Sequence, residues 1–427
     1  MAAGMERRIP TLAVLGAGLR GNIYAEYFLE NPGVGTVTAV AEPDAERLNA
    51  FAEKHGIPEQ GRFLACEEFL SKPKMCDAVL ICTQDRQHYD AVMSALEKGY
   101  HVFVEKPMSP DPRETLAMAK KAEEKGLLLI VGHVLRYTPF FHKLKTLIDD
   151  GKIGEVVSLD LIENVEHIHY SHSFVRGNWG NSGRSSFMLL SKSCHDIDII
   201  HWLIGHSCLK VSSFGSLKHF TSENAPAGST ERCLDGCAVE RTCPYSARKI
   251  YVERDSWYYR AITNSDRKED RLKAIAEGPY GRCVYRCDND VVDHQVVAME
   301  FEDGITASFS MVGLTHDNTR TIKIFGTKGQ IRGHMSKNEI EIANWDGEIE
   351  IIRPKTNRSG HGGGDHLIME EFAQLLQTGD TSGGRTSGRK SADSHLIAFA
   401  AEASRVRGQT VSLQEYIGEL KDGQAPF

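Results

Sequence analysis

An apolar strand, Thr11-Leu-Ala-Val-Leu15, runs directly into the glycine-rich turn Gly16-Ala-Gly18-Leu19-Arg20-Gly21, and a helical pattern follows over 22–31. That order of events leaves few folds open. A backbone without Cβ atoms at Gly16 and Gly18 can approach a pyrophosphate, Gly21 lets the helix pack tightly on the strand, and the amides opening the helix face the phosphates. G-x-G-x-x-G alone is a weak signal, with a turn that merely joins strand to helix as the bland alternative; the flanking elements give it its weight. A second strand over 36–41 ends at Glu42. It lies about 20 residues past the glycines, where a carboxylate hydrogen-bonds the ribose hydroxyls of an adenosine and repels a 2′-phosphate. This favours NAD over NADP, although Arg47 nearby weakens the preference.

From 11 to about 131, strands at 78–82, 101–104 and 127–131 alternate with helices at 44–55, 88–98 and 112–125. Such alternation predicts an α/β chain beginning with a Rossmann domain, a doubly wound parallel sheet over 1–132 whose ligand sits beyond the carboxyl ends of the strands. After His133 the pattern changes, and 155–164, 295–302, 306–312, 319–325, 329–333, 339–344 and 348–353 read as strands joined by turns such as Glu302-Asp-Gly304 and Trp345-Asp-Gly347. The second domain, 133–427, is therefore expected to be α+β with an open, mostly antiparallel sheet. A helix over 194–203 packs on that sheet through Ile197, Ile199, Ile200 and Leu203, and helices over 365–377 and 391–405 close the chain.

A net charge of −8 without a dense basic block gives no reason to expect nucleic acid. No apolar run reaches the ~18 residues that span a bilayer, and the N-terminal residues lack the apolar stretch of an export signal. A cytoplasmic protein with reduced thiols is expected. Of ten cysteines, Cys66, Cys76, Cys82, Cys194 and Cys208 lie singly among apolar segments and read as small core residues. The other five fall in one insertion at about 221–290, as Cys233-x3-Cys237-x5-Cys243-Pro244 and Cys283-x3-Cys287. Four thiolates suit a structural zinc held by Cys233, Cys237, Cys243 and Cys283, with Cys287 as an alternative ligand, stapling a segment with little apolar core. An iron–sulfur cluster and simply packed thiols remain open alternatives.

Two further segments carry chemistry: His101-Val-Phe-Val-Glu105-Lys106-Pro107 and Cys194-His195-Asp-Ile-Asp198. Removing a hydroxyl proton as hydride leaves carbon needs a base poised near neutral pH, which a histidine or a desolvated lysine supplies, and Lys106 can also hold a developing alkoxide by charge. On the residues alone, a solvated loop cation at Lys106 and a satisfied helix residue at His195 are equally good readings.

Together with the glycine turn and Phe325-Gly326-Thr327-Lys-Gly329, these segments resemble the glucose-fructose oxidoreductase, inositol dehydrogenase and MocA family over nearly the whole chain, with Glu105-Lys106-Pro107 as the most specific signature. The resemblance implies an NAD(P)-dependent oxidoreductase acting on a secondary hydroxyl of a sugar, cyclitol or sugar derivative, often assembled as a homo-oligomer through the outer face of its second sheet. It also implies that Lys106 and His195 flank the substrate hydroxyl and that Pro107 is a cis residue aiming Lys106. Gly16, Gly18, Leu19, Arg20, Gly21, Glu42, Thr83, Gln84, His88, Glu105, Lys106, Pro107 and Arg136 form the expected cofactor side.

The chain departs from that pattern in three places. Ser191, followed by Lys192, stands where many relatives carry an aspartate four residues before the histidine, so aspartate-assisted proton abstraction loses its residue. Lys192 reads equally as a substrate contact or a surface charge. Thr83-Gln84-Asp85-Arg86-Gln87-His88 replaces Thr-Pro-Asn-x-x-His, and His133 replaces an asparagine three residues before Arg136. Between 163 and 179 a polar and aromatic run supplies what a sugar site needs, with Glu163, His167, Arg176 and Trp179 as candidate contacts and a solvated loop as the alternative. His167, His169 and His172 lie on separate faces of an extended segment, which disfavours a metal there.

Three functions compete on this evidence. Hydride transfer between a sugar-type alcohol and NAD leads. An NAD-dependent glycosidase or lyase that oxidises its ring transiently is second. A catalytically silent NAD-bound regulator is third, disfavoured because Lys106 and His195 are both present.

Overall fold

The computed structural model describes residues 9–254, 256–356 and 360–424. Strand β1 (Thr11–Leu15) is buried almost end to end, so it needs cover on both faces. It receives that cover in a six-stranded parallel sheet ordered β3-β2-β1-β4-β5-β6, completed by β2 (Thr36–Ala41), β3 (Arg62–Phe63), β4 (Ala78–Ile81), β5 (His101–Val104) and β6 (Leu129–Val131). Helices α1 (Leu19–Glu30), α2 (Ala45–His55), α3 (Cys66–Ser71), α4 (His88–Glu97) and α5 (Pro112–Lys125) connect the strands. Local chemistry sets their ends: the side chains of Asp44 and Asp111 accept amide hydrogens at the starts of α2 and α5, and Gly56 and Gly126 end them in the left-handed conformation. The strand order reverses between β1 and β4, which opens a crevice at their carboxyl ends.

The rest of the chain forms α6 (Pro139–Asp149), β7 (Val156–Glu166), α7 (His167–Ser171), α8 (Met188–Ser191), α9 (Cys194–Ile204), β8 (Cys208–Ser216) and α10 (Lys268–Glu277). These are followed by β9 (His294–Phe301), β10 (Thr306–Thr315), β11 (Thr319–Gly326), β12 (Gly329–His334), β13 (Glu339–Asn344), β14 (Ile349–Ile352), α11 (Gly364–Thr378), α12 (Gly388–Arg407), β15 (Val411–Ser412) and α13 (Leu413–Lys421). The nine strands make one sheet ordered β14-β13-β12-β11-β7-β10-β9-β8-β15, antiparallel except where β7 meets β10. The predicted α/β and α+β classes are both present.

One face of the second sheet is sealed by α6, α9 and α12 through Phe141, Leu144, Ile197, Ile200 and Phe399. The other face is open, and Phe214, Val296 and Ile162 are all exposed on it. Phe214 pairs with Val296, which pairs with Ser310, which pairs with Ile162, so they form one row across four strands. Helix α11 packs on the first sheet, where Ile368, Met369 and Phe372 join Tyr24, Phe28 and Phe103. Among the described residues no helix is long and apolar enough to cross a membrane.

The insertion differs from expectation. It has an apolar cluster of its own, in which Ile250, Tyr251, Val252, Tyr258 and Ile275 pack on Ile168 and Cys233. A metal staple is therefore not required to hold it. Cys233, Cys237, Cys243 and Cys283 do line one cavity, of only ≈ 20 Å³, but Arg176 lines it with them. Arg176 donates from Nη2 to the Tyr245 carbonyl at 2.7 Å and to Cys233 Sγ at 3.6 Å. Burial pushes the Cys243, Cys283 and Cys287 thiols up, towards the neutral form. Among the described residues no three His, Cys, Asp or Glu side chains are placed to hold a metal ion, so the expected zinc site is not supported and the cysteines read as packing groups around a guanidinium.

Candidate active site

The glycine turn positions the first wall of the cleft. Gly16 has φ +94°, and a Cβ there would lie 2.7 Å from the Cys82 carbonyl oxygen; a Cβ on Gly21 would lie 2.1 Å from the Gly16 carbonyl oxygen. Both glycines are therefore required by close backbone approach. A Cβ on Gly18 would meet nothing within 4 Å, because Gly18 faces the cleft. Glu42 is buried at the end of β2, where it accepts from Ala17 N at 2.9 Å and from Arg47 Nη2 at 2.8 Å. The carboxylate thus braces the turn, and it lines neither of the two cavities at the strand tips.

Leu19 and Arg20 line the cleft. Arg20 donates from Nε to Glu105 at 2.7 Å and from Nη2 to Asp365 at 2.7 Å, and it lies 4.4 Å over the Tyr24 ring. Burial pushes the Glu105 carboxyl up, yet Arg20, Lys106 and the Tyr24 hydroxyl outweigh it and leave the group below its usual range. Thr83 and Gln84 line the cleft as expected, and Thr83 Oγ1 is buried without a partner. His88 lies behind them: its ring nitrogens are 3.1 Å from the Thr83 carbonyl and 2.8 Å from the Pro107 carbonyl, so it ties the two loops together.

The cleft itself is a cavity of ≈ 410 Å³ lined from Gly18, Arg20 and Thr83 on one side to Lys106, Lys192 and His195 on the other. A neighbouring cavity of ≈ 650 Å³ shares Thr83 and is bounded by Gly16, Pro43, Leu64 and Cys66. The pair gives a dinucleotide room across the strand tips. With Gly18 open and Thr83 Oγ1 unpartnered, the residues present fit one.

The peptide bond between Lys106 and Pro107 is cis, as expected. Lys106 Nζ donates to the Ser191 carbonyl at 2.8 Å, which joins the Glu-Lys-Pro loop to the helices of the second sheet. His195, at the start of α9, is 6% exposed, and its Nδ1 has no partner. Burial, then Lys106 and His133, hold its ring well below the usual imidazole range, so it is neutral at pH 7.

Behind Lys192 lies a charge network that the sequence did not disclose. Arg320 on β11 donates to Glu163 at 2.6 Å and to Asp196 at 2.6 Å, Ser193 Oγ donates to Glu163 at 2.8 Å, and Lys192 Nζ sits 3.5 Å from Glu163. Burial drives Asp196 up, with Glu163 adding to the effect. Glu163 itself is held low, because Arg320 and Lys192 outweigh its burial. Burial pulls the Lys192 ammonium down against the pull of Glu163. Lys192 and Arg320 both line the cleft, so Lys192 is a cleft residue, and Glu163 supports it from below.

Besides His88 and Glu163, which lie behind the lining, Arg136, Arg176 and His167 are expected site residues placed elsewhere. Arg136 is buried in a two-point pairing with Asp198, both contacts 2.6 Å, and does not line the cleft. Arg176 is the guanidinium among the cysteines. His167 lines a separate open pocket with His219 and His316. Trp179 does face the cleft, donating to Asp85 at 3.4 Å. Residues not anticipated there include Arg320, His361, Trp257 and Tyr280. The first two approach from a distant strand and a glycine-rich turn that no local pattern links to the site. The aromatic pair comes from the cysteine-bearing insertion, where no sequence pattern ties it to the cleft.

Comparison with known proteins agrees with this geometry. Residues 11–133 match the oxidoreductase family, NAD-binding Rossmann fold, and residues 145–413 match the C-terminal alpha/beta domain of the same family. The chain is 28% identical to YteT of Bacillus subtilis, named only as an oxidoreductase, over 79% of this chain and 81% of that protein. It is 29% identical to the NAD-dependent scyllo-inositol 2-dehydrogenase of Bacillus subtilis over 48% of this chain and 57% of that enzyme. Among solved structures, scyllo-inositol dehydrogenase from Lactobacillus casei, with NAD(H) and scyllo-inositol bound, superposes with a TM-score of 0.66 at 19% identity, covering 95% of this chain and 100% of that one. An oxidoreductase from Agrobacterium radiobacter in complex with NAD+ and L-tartaric acid superposes with a TM-score of 0.68 at 16% identity, covering 96% and 99%. Both halves of the sequence and the fold they build lead to one conclusion: the chain belongs to the glucose-fructose oxidoreductase, inositol dehydrogenase and MocA family of NAD-binding oxidoreductases.

Proposed function

We propose that the protein oxidises a secondary hydroxyl of a sugar, cyclitol or sugar derivative, with Lys106 and His195 handling the proton. The observation that carries this reading is that one cleft is lined by Gly18 and Arg20 of the dinucleotide turn and by Lys106 and His195 from two other elements. When bound, the nicotinamide supplies the hydride acceptor.

The chain's own groups supply the rest. Lys106, tied to the Ser191 carbonyl, keeps an ammonium where an alkoxide develops and lowers the cost of that charge. His195 is neutral before reaction and takes the hydroxyl proton on its ring. Lys192 donates to a neighbouring hydroxyl, held in place by Glu163, whose carboxylate is itself fixed by Arg320 and Ser193. No aspartate is needed at position 191 in this arrangement. The row Phe214, Val296, Ile162 on the open sheet face supports self-association there.

The test is reduction of NAD in the presence of a panel of free sugars and cyclitols. Loss of turnover in Lys106→Ala with retained NAD binding is the expected outcome, and turnover that persists in that variant removes Lys106 from the mechanism. Redox-neutral cleavage of a glycoside is the second reading, favoured by the aromatic end of the cleft. Release of aglycone without net reduced NAD would select it.

A further inference from the structure

The structure assigns a second-ring subsite to the mouth of the cleft, so that the preferred substrate is a glycoside: the reacting ring, joined through a glycosidic bond to another uncharged ring. This deepens the oxidoreductase reading above and rests on it.

Of the residues lining the cleft, His195 is 6% exposed and the insertion's Trp257 is 48% exposed, so the tryptophan lies at a solvent-open edge while the proton-handling histidine is buried. Trp257 is fixed without being covered. Its ring lies 4.4 Å from that of Tyr258 and 5.5 and 5.9 Å, edge to face, from those of His172 and His169. Tyr280, also from the insertion, stacks on His172 at 4.9 Å and lines the same cavity. Trp179 adds another aromatic surface. A large ring held by its neighbours and still open to the cavity offers apolar area at little entropic cost, which suits the face of a sugar or aryl ring.

Charge narrows the occupant further. Burial holds His169 and His172 at about 3, so both are neutral at physiological pH. Apart from these two histidines, the lining residues from 169–179 and from the insertion are aromatic, small or uncharged polar groups. The lining cations Arg20, Lys106, Lys192 and Arg320 come from elements outside this aromatic wall, and Arg20 is already paired with Glu105 and Asp365. A phosphate-bearing substituent would find no partner at the mouth, whereas an uncharged ring finds a stacking surface. Because Trp257 and Tyr280 belong to a segment with its own apolar core, the wall is an addition to the two-sheet scaffold.

The experiment uses the full-length protein loaded with NAD and measures equilibrium binding by calorimetry, together with kcat and KM. The probes are D-glucose, D-galactose and D-mannose, each as the free sugar, the phenyl glycoside and a disaccharide carrying it at the non-reducing end. For at least one sugar, a glycoside should bind about tenfold more tightly than the free form. Trp257→Ala should remove that advantage and Trp257→Phe should keep most of it. Ala261→Phe, at an exposed position lining the mouth, should weaken glycosides more than free sugars and stands in if Trp257→Ala does not fold. An advantage confined to phenyl glycosides identifies an aryl aglycone; one shared with disaccharides identifies a sugar ring. The proposal is overturned if no glycoside outbinds its parent sugar, or if the advantage survives both Trp257→Ala and Ala261→Phe. Failure of the oxidoreductase reading is separate, since it shows as undiminished turnover in Lys106→Ala, while binding at the mouth is read without turnover.

Discussion

The two walls of the cleft are built on opposite plans. On the cofactor wall the charges already neutralise one another: Arg20 is paired with Glu105 and Asp365, and Glu42 with Arg47, so recognition falls to backbone geometry at Gly16 and Gly18. On the substrate wall, Lys192 and Arg320 face the cavity above a buried carboxylate pair, and the aromatic mouth lies beyond them. On the proposed reading of the site, the cofactor is recognised by shape and the substrate by side chains. Changes on the first wall should therefore shift NAD binding modestly, and changes on the second should shift chemistry or stability strongly.

The largest effect is expected at the seam between the walls. Lys106→Ala should lower kcat by about 10²–10³, the range for removing a group that stabilises a developing oxyanion, with NAD affinity nearly unchanged by calorimetry. An equal loss of NAD affinity would place Lys106 on the cofactor wall instead. Next comes Arg320→Met, which strands Glu163 and Asp196 without their cation and should cost about 3–5 kcal/mol in denaturant unfolding. Stability within a few tenths of the parent would show that the carboxylates find other partners.

The pH dependence of stability sharpens the same contrast. His133, His169, His172, His195 and His395 are all held below the value of an unfolded chain, each chiefly by burial, His133 at about 4 and His169, His172 and His395 at about 3. The unfolded chain therefore binds more protons at acid pH, and stability should fall as pH drops through about 6.5 towards 4. From pH 7 to 5.5 the loss is about 1 kcal/mol per histidine. Asp196, shifted up, works in the opposite direction but is a single group. Calorimetric melting at several pH values checks this, and a flat profile would mean that the five rings are charged or exposed. The smallest effect is expected on the cofactor wall: Glu42→Ala should weaken NAD about tenfold and narrow its preference over NADP, the loss of one charged hydrogen bond and of the brace on Ala17.

The same contrast explains what was legible in the sequence. The first wall was readable because its determinants are local: glycines that a Cβ would clash with, a strand ending at Glu42, and a lysine before a proline at the end of β5. Lys106 and His195 are singled out by the family resemblance, since on the residues alone they read equally well as a loop cation and a helix residue; both line the cleft. The second wall was less readable because its partners come from distant segments. Arg136 and Arg320 show the difference: both are arginines beside a candidate site, yet only their pairings, to Asp198 and to Glu163 with Asp196, tell which one faces the cleft. The cysteine spacing suggested a metal, whereas packing filled the insertion with tyrosines, isoleucine and a buried guanidinium. Strand β8 escaped because its buried and exposed residues do not alternate cleanly.

The central claim is that one cleft brings a nicotinamide and a substrate hydroxyl to Lys106 and His195. It is tested most directly by transfer of deuterium from carbon-deuterated sugars and cyclitols to NAD, followed by mass spectrometry of the recovered cofactor, for the wild type and Lys106→Ala. The account predicts labelled reduced cofactor with the wild type and a loss of about 10²-fold or more in the variant, which still binds NAD. Equal labelling by both proteins, or unlabelled cofactor from the wild type across the whole panel, would contradict it.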